Sequence, residues 1–312
     1  MNNKKELAFL VSSHGQAFTA GNIVLGINKY MPNNIKYNIV VYHNSFSKYD
    51  IAAFQNIPNV VLNNFSFPQE FIDEMYKKLD KNGRWNNPGG LMTFSHYEIF
   101  SLLENYKKVV WLDTDMSIQS NISEIIKFSG FTITDDYVWP VRINFNKTIE
   151  GYDMDRKGFC AAFIVVDDSL PFKDIYNWCY NKSIEYAEYL INPDQGIINL
   201  ALQEFNIIPN ILSSNIWQCT PFRPLAHIAK IVHFGDIWKP WMHSAIIKNF
   251  PEWYRTHLEW LKLGGTDFPK HAEMDLLNKL TQDDLQENRK KIMIKRIKLF
   301  GLTVFKKEII EL

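Results

Sequence analysis

Lys107-Lys-Val-Val-Trp-Leu-Asp-Thr-Asp-Met-Ser117 decides the reading of this chain, because an uninterrupted apolar run at 109–112 ends in two acids one residue apart. A short apolar run of this kind is a strand buried on both faces, as in a largely parallel sheet. Open α/β sheets bind ligands at the carboxyl ends of their strands. Two carboxylates at such a mouth, Asp113 and Asp115, make a ligand set for a hard divalent cation, which prefers oxygen donors and shares them with substrate phosphates. An isolated Asp-x-Asp is equally well an acidic turn after a strand, so the rest of the chain must decide.

Outward from this segment, the pattern predicts strands at 7–11, 37–42, 59–62, 137–141, 159–166 and 231–234. Helices are expected at 19–30, 69–79, 92–104, 122–128, 171–189 and 195–205, the last entered through Asn192-Pro-Asp-Gln195. Strands alternating with helices predict an α/β fold with a mostly parallel sheet covered on both faces. Residues 81–90 are turn-rich, and the polar 144–157 segment is expected to form a loop over the site. Beyond residue 250 the pattern is mainly helical. The expected organisation is therefore a body of 1–250 followed by a helical extension of 251–312.

Composition narrows the function classes. Lys plus Arg equals Asp plus Glu at 34 each, so no global charge advertises nucleic acid as a partner. The three cysteines, Cys160, Cys179 and Cys219, lack metal-ligand spacing and suit packing in a reducing cytosol. The apolar run after Met1 is too short for a signal peptide or membrane span, and no later run reaches bilayer length without charges. A cytoplasmic protein is expected.

A second cluster supports the first. In Ile231-Val-His-Phe-Gly-Asp-Ile-Trp-Lys-Pro-Trp241, His233 leaves a strand and Lys239 follows across a glycine-containing turn. A neutral imidazole can complete a metal shell, and an ammonium can neutralise a diphosphate held by the same metal.

On these residues the chain resembles the nucleotide-sugar glycosyltransferases of family 8, which include bacterial lipopolysaccharide galactosyl- and glucosyltransferases and glycogenin. The resemblance rests on the strand with Asp113-Thr-Asp115, on Asp194-Gln-Gly-Ile-Ile-Asn199 and on His233 through Lys239-Pro-Trp241, in the expected order over roughly residues 7–245. It implies a GT-A fold and a Mn²⁺ (or Mg²⁺) ion on Asp113, Asp115 and His233. It also implies a nucleoside diphosphate sugar donor, by default a UDP-sugar, and transfer of a hexose with retention at the anomeric carbon to a glycan or lipid-linked glycan. Synthesis of bacterial lipopolysaccharide, lipooligosaccharide or capsule is the implied setting. Asp194 and Gln195 would be the catalytic pair beside the donor sugar, although Asp194 could equally be a helix N-cap. Ser12, Ser13, His96, Asp113, Thr114, Cys160, Ala161, Gly235 and Lys239 would bind the donor. Three positions depart from the family pattern. His96 stands where relatives place Arg or Lys, Cys160-Ala-Ala162 where they often carry Asn-Ala-Gly, and Ser12-Ser13-His14 where an acid or amide is common.

The tail from Arg289 to Lys307 carries eight Lys or Arg among apolar residues. As an amphipathic helix it would contact an anionic membrane on the inner face, each cation contributing on the order of 1 kcal/mol near such a surface; otherwise it is a solvated basic helix. Two other functions are open. A haloacid-dehalogenase-like phosphatase shares a strand end like Leu112-Asp-Thr-Asp-Met-Ser117, but Gly235-Asp236 followed by Ile-Trp-Lys-Pro supplies no second acid. A catalytically silent relative binding glycan or nucleotide sugar is the other, supported by the three departures.

Overall fold

A computed structural model of the chain describes residues 4–79, 85–235 and 238–269, and for Tyr137 and Val138 the backbone alone. The expected tail at 289–307 lies outside the described residues. The strands are β1 (Lys5–His14), β2 (Asn38–Asn44), β3 (Val60–Asn64), β4 (Tyr106–Leu112), β5 (Met116–Ile118), β6 (Phe131–Pro140), β7 (Lys157–Asp167), β8 (Asn210–Leu212) and β9 (Ile231–His233). Among the described residues, seven of them form one sheet in the order β3-β2-β1-β4-β7-β6-β8, and β5 pairs with β9 in a small second sheet. Neighbours in the main sheet are parallel except where β7 runs against β4 and β6. The expectation of an α/β fold with a mostly parallel sheet between helices holds.

The central strands are apolar on both faces because both faces are covered. Phe9 and Val110 point into one core layer with the helix Ala17–Tyr30, while Leu10 and Val109 point into the other with the helices Phe172–Glu185 and Pro193–Glu204. Chain order reverses at β1, whose neighbours are β2 on one side and β4 on the other. The carboxyl ends of β1 and β4 therefore flank a topological switch point, where open α/β sheets leave a crevice for ligands.

Several sequence expectations shift in detail. The strand expected at 137–141 is the far end of β6, which begins at Phe131. The helix expected at 92–104 is a chain of short helical turns. Residues 122–128 form one 3-10 stretch, Ser123–Lys127. The helix Lys48–Gln55 was not expected, although Ser47 and Asp50 form a capping box at its start. In that box the hydroxyl accepts from the Asp50 N–H while the carboxylate returns the bond.

Past residue 250 the described chain forms the helix Pro251–Lys262. This helix lies on Ala17–Tyr30, and Trp253 and Trp260 enter the same core as Phe9. The Trp260 ring sits directly on Gly21, so no side chain fits there. A fully buried indole of this kind is a large contribution, its loss costing about 3–5 kcal/mol in typical cores. Residues 251–269 thus share the core of the body. No described helix is long and apolar enough to cross a membrane.

Candidate functional site

The two acids follow β4 directly. Asp113 N–H donates to Ala162 O at 3.0 Å, carrying the β4–β7 pairing one residue further, and Thr114 and Asp115 form a half-buried turn into β5. The small sheet then does the positioning. Met116 pairs with His233, and Phe234 N–H donates to Asp115 O at 2.9 Å. A residue more than a hundred positions away is thereby clamped beside the acid pair.

The side chains converge. His233 Nε2 lies 3.2 Å from Asp115 Oδ1 and 3.9 Å from Asp113 Oδ2, and Lys239 Nζ donates to Asp115 Oδ2. One ligand atom each from Asp113, Asp115 and His233 lies within 4.8 Å of the others, and no second group of this kind occurs among the described residues. Two hard oxygens and an imidazole nitrogen fit Mn²⁺ or Mg²⁺. Burial and the neighbouring Asp115 charge push the Asp113 carboxyl up to about 6. Burial also pushes Asp115 upward, but His233 and Lys239 outweigh it and hold that carboxyl well below the ordinary range. Burial opposes a charged His233, yet the two acids outweigh it and raise its pKa. The pair of acids is thus faced by the Lys239 ammonium and by an imidazole whose protonated form the acids favour.

A second cluster faces this one from the helix Pro193–Glu204. Asp194 is not its N-cap, because the helix starts at Pro193 and Asn192 holds the cap position. Asp194 lies in the first turn, where the helix dipole favours a negative charge. Its Oδ2 is 2.9 Å from Nδ1 of the fully buried His96. Burial would raise the Asp194 carboxyl, but His96, Thr93 and the Gln195 N–H outweigh it and hold it low. Gln195 Nε2 donates to Asp136 Oδ2 at 3.0 Å and Asn144 Oδ1 at 3.1 Å, while its Oε1 accepts from Ala161 N–H at 3.3 Å. The rest of the motif has structural reasons. A Cβ on Gly196 would lie 2.9 Å from the Phe145 ring, and the Asn199 amide exchanges two 2.8 Å bonds with the Phe159 backbone, tying the helix to β7.

The remaining expected residues are distributed around these clusters. Ser12 Oγ accepts from Ser95 Oγ at 2.6 Å, next to His96, and Ser13 Oγ donates to Gln16 O at 3.1 Å. Cys160 Sγ accepts from Gln218 Nε2 at 2.7 Å, and burial raises its thiol far above the usual range, so it is no thiolate. Gly235 is half-buried beside the His233 ring. The 144–157 segment meets the motif through Asn144, which bonds Gln195, and the Phe145 ring, which lies on Gly196; further along, Asp153 meets Gln203 at the opposite end of the helix. Sequence reasoning missed Asp136, Asn144 and Gln218. Gln218 lies 3.3 Å from His233 Nδ1 and also bonds Thr134. Burial raises the Asp136 carboxyl, Gln195 offsetting part of that.

This sheet order, with an acid pair at the switch point, is similar to the GT-A type of α/β fold. No family model and no curated protein sequence matches the chain. Among solved structures it is similar to the apo bifunctional glycosyltransferase WbbM, at a TM-score of 0.60 and 17% identity over 84% of this chain. It spans 52% of WbbM, about half the length of that protein. It is also similar to the galactosyltransferase LgtC in complex with donor and acceptor sugar analogues, at a TM-score of 0.55 and 12% identity, covering 84% of this chain and 98% of that one. An active-site mutant of LgtC gives 0.57 and 13% over the same shares. At these identities the likeness establishes the fold.

Proposed function

We propose that this chain is a metal-dependent, retaining glycosyltransferase of the family 8 type. It would move a hexose from a nucleoside diphosphate sugar, UDP being the default nucleotide, to a glycan acceptor. The observation that carries this reading is the assembly of Asp113, Asp115, His233 and Lys239 at the switch point of a GT-A sheet, opposite Asp194 and Gln195. The galactosyltransferase whose structure holds donor and acceptor analogues shares that fold.

In this reading Asp113, Asp115 and His233 hold Mn²⁺ or Mg²⁺. When bound, the ion supplies Lewis-acid stabilisation of the charge developing on the departing diphosphate. Lys239, released from Asp115, turns its ammonium to the same charge and so favours the transition state over the ground state. Asp194 and Gln195 orient the sugar from the side opposite the leaving group, and the Asp194 charge steadies an oxocarbenium-like carbon. The bond from the anomeric carbon to the phosphate oxygen breaks, the acceptor oxygen bonds to that carbon on the same face, and the departing phosphate takes the acceptor proton. Ser12 and Ser13 face the base or ribose, while Thr114, Cys160, Ala161 and Gly235 shape the donor pocket.

The acceptor in this proposal is a glycan of bacterial lipopolysaccharide, lipooligosaccharide or capsule synthesis. It would be met at the inner face of the membrane, with residues 251–312 extending the body and the basic tail as the surface contact. Incubation with a panel of nucleotide sugars tests the activity: Mn²⁺-dependent release of UDP is expected. Release of inorganic phosphate instead would mean a phosphatase, and donor binding without turnover would mean a silent relative.

A further inference from the structure

Trp111 lies in β4 two residues before Asp113, 5% exposed, where any large apolar residue would satisfy the packing of the strand. What the indole adds is a donor. Its Nε1–H donates to Asp113 Oδ1 at 2.7 Å, so of the two Asp113 oxygens it is Oδ2 that faces His233 Nε2, 3.9 Å away. The indole is itself held. Its plane lies on the imidazole of His96, with ring centroids 3.9 Å apart and planes 20° from parallel, and His96 Nδ1 is anchored on Asp194 Oδ2 at 2.9 Å. A continuous chain of contacts, Asp113 to Trp111 to His96 to Asp194, thus runs from the acid pair to the helix on the far side of the site. Asp113 is only half-buried and follows the end of its strand, so packing alone does not choose its rotamer. A hydrogen bond to a charged acceptor is short and directional and does choose it.

We propose that Trp111 is a positioning residue for cation binding. Its N–H turns Asp113 so that one oxygen is presented to the ion, and the His96 ring keeps the indole in the plane where that bond forms. The inference rests on the reading of Asp113, Asp115 and His233 as metal ligands. Outer hydrogen bonds of this type orient ligating carboxylates, and their loss typically weakens metal affinity about 10–100-fold.

The test is calorimetric titration of Mn²⁺ into the full chain, together with thermal denaturation of the metal-free protein. Trp111→Phe keeps a ring and removes the donor. Replacing Trp111 with β-(3-benzothienyl)alanine keeps the bicyclic shape as well, which guards against a folding failure of the first variant. Both should weaken Mn²⁺ binding by about tenfold or more, with the benzothienyl variant melting close to the native chain. His96→Gln keeps an amide donor for Asp194 and removes the stack. It should weaken Mn²⁺ binding in the native chain and add little in the Trp111→Phe background, because the two residues act through one bond. Unchanged Mn²⁺ affinity in the benzothienyl variant overturns the proposal while leaving the metal site standing. If the native chain binds no Mn²⁺, the metal reading fails and this inference with it.

Discussion

On the side of β4 and β9, two half-buried acids are met by the His233 imidazole and the Lys239 ammonium. On the side of the helix Pro193–Glu204, one acid is met by a buried imidazole and a glutamine is held by an amide, a carboxylate and a backbone N–H. The first cluster concentrates charge, and Asp113 is raised because a second carboxylate sits beside it in a partly desolvated place. Such a pair gains from a divalent cation. The second cluster contains directed hydrogen bonds, with Asp194 held ionised beside His96 and Asp136 tied to Gln195, an arrangement suited to orienting a hydroxyl-rich ligand. The difference separates holding charge from holding shape. Substitutions on the first side should abolish turnover, and those on the second should act through the donor sugar.

The largest effect is expected at Asp115. Asp115→Ala removes a proposed metal ligand and the partner of His233 and Lys239, and should lower metal-dependent transfer by about 10³-fold, while its turn location leaves the melting temperature within a few degrees. Retention of most activity with unchanged metal dependence would break the assignment of the charged half. Lys239→Ala comes next, at about 10²-fold, and it should lower kcat more than it raises KM for the donor. If donor binding falls and turnover at saturation does not, Lys239 supplies only uniform binding.

pH should separate the halves. Asp113 is raised to about 6, so below that pH it carries a proton that an entering ion must displace, and His233, raised as well, adds a second. Mn²⁺ affinity should therefore rise as pH increases through about 6, by up to about tenfold per unit for each proton released, and level off only once His233 has lost its proton too. Asp194 has the opposite sign. Its carboxyl is held below the ordinary range, so the stability from its ionised form is complete above that range and is lost only as pH falls through its own lower value. Calorimetry across pH 5 to 8 checks the first, and thermal melts of the native chain and of Asp194→Asn from neutral pH down through the acid range below about 4 check the second. A Mn²⁺ affinity that stays flat across that window would contradict the Asp113 assignment.

The smallest catalytic effect is expected outside both halves. Deleting residues after about 289 should reduce sedimentation with anionic vesicles and spare donor hydrolysis, and high salt should mimic the electrostatic part of the loss. Equal vesicle binding by the truncated chain would show that the basic tail is no surface contact.

The two halves also differ in how far sequence alone exposes them. The charged half is written in two short motifs at strand ends, where residue type and position follow from what a metal and a diphosphate need. In the other half, Asp194 and Gln195 come from a motif, but Asp136 and Asn144 do not. Asp135 and Asp136 lie in the part of β6 whose register shifts, once between Ile133 and Thr134 and again between Asp135 and Pro140. Its earlier part alternates Phe131 and Ile133 with Thr132 and Thr134, a period-two pattern open to reading, and all four are buried because both faces are covered. The three-residue strands β5 and β8 are too short for any period to register, whereas β9 falls within the expected 231–234 strand. Gln218 is found only through its contacts, since a lone glutamine after Trp217 carries no spacing signal. The capping box at Ser47 and Asp50 was a visible cue, and it marks a helix away from the site.

The central claim is that the Asp113–Asp115–His233 cluster grips a divalent ion which in turn grips the donor diphosphate. Its most direct test is the affinity of the native chain and of Asp115→Ala for UDP, measured with Mn²⁺ and again with EDTA. The account predicts that the native chain binds UDP tightly only with Mn²⁺, and that Asp115→Ala binds it weakly in both conditions. UDP binding of equal strength in EDTA, or an Asp115→Ala variant that keeps the Mn²⁺ dependence, would contradict it.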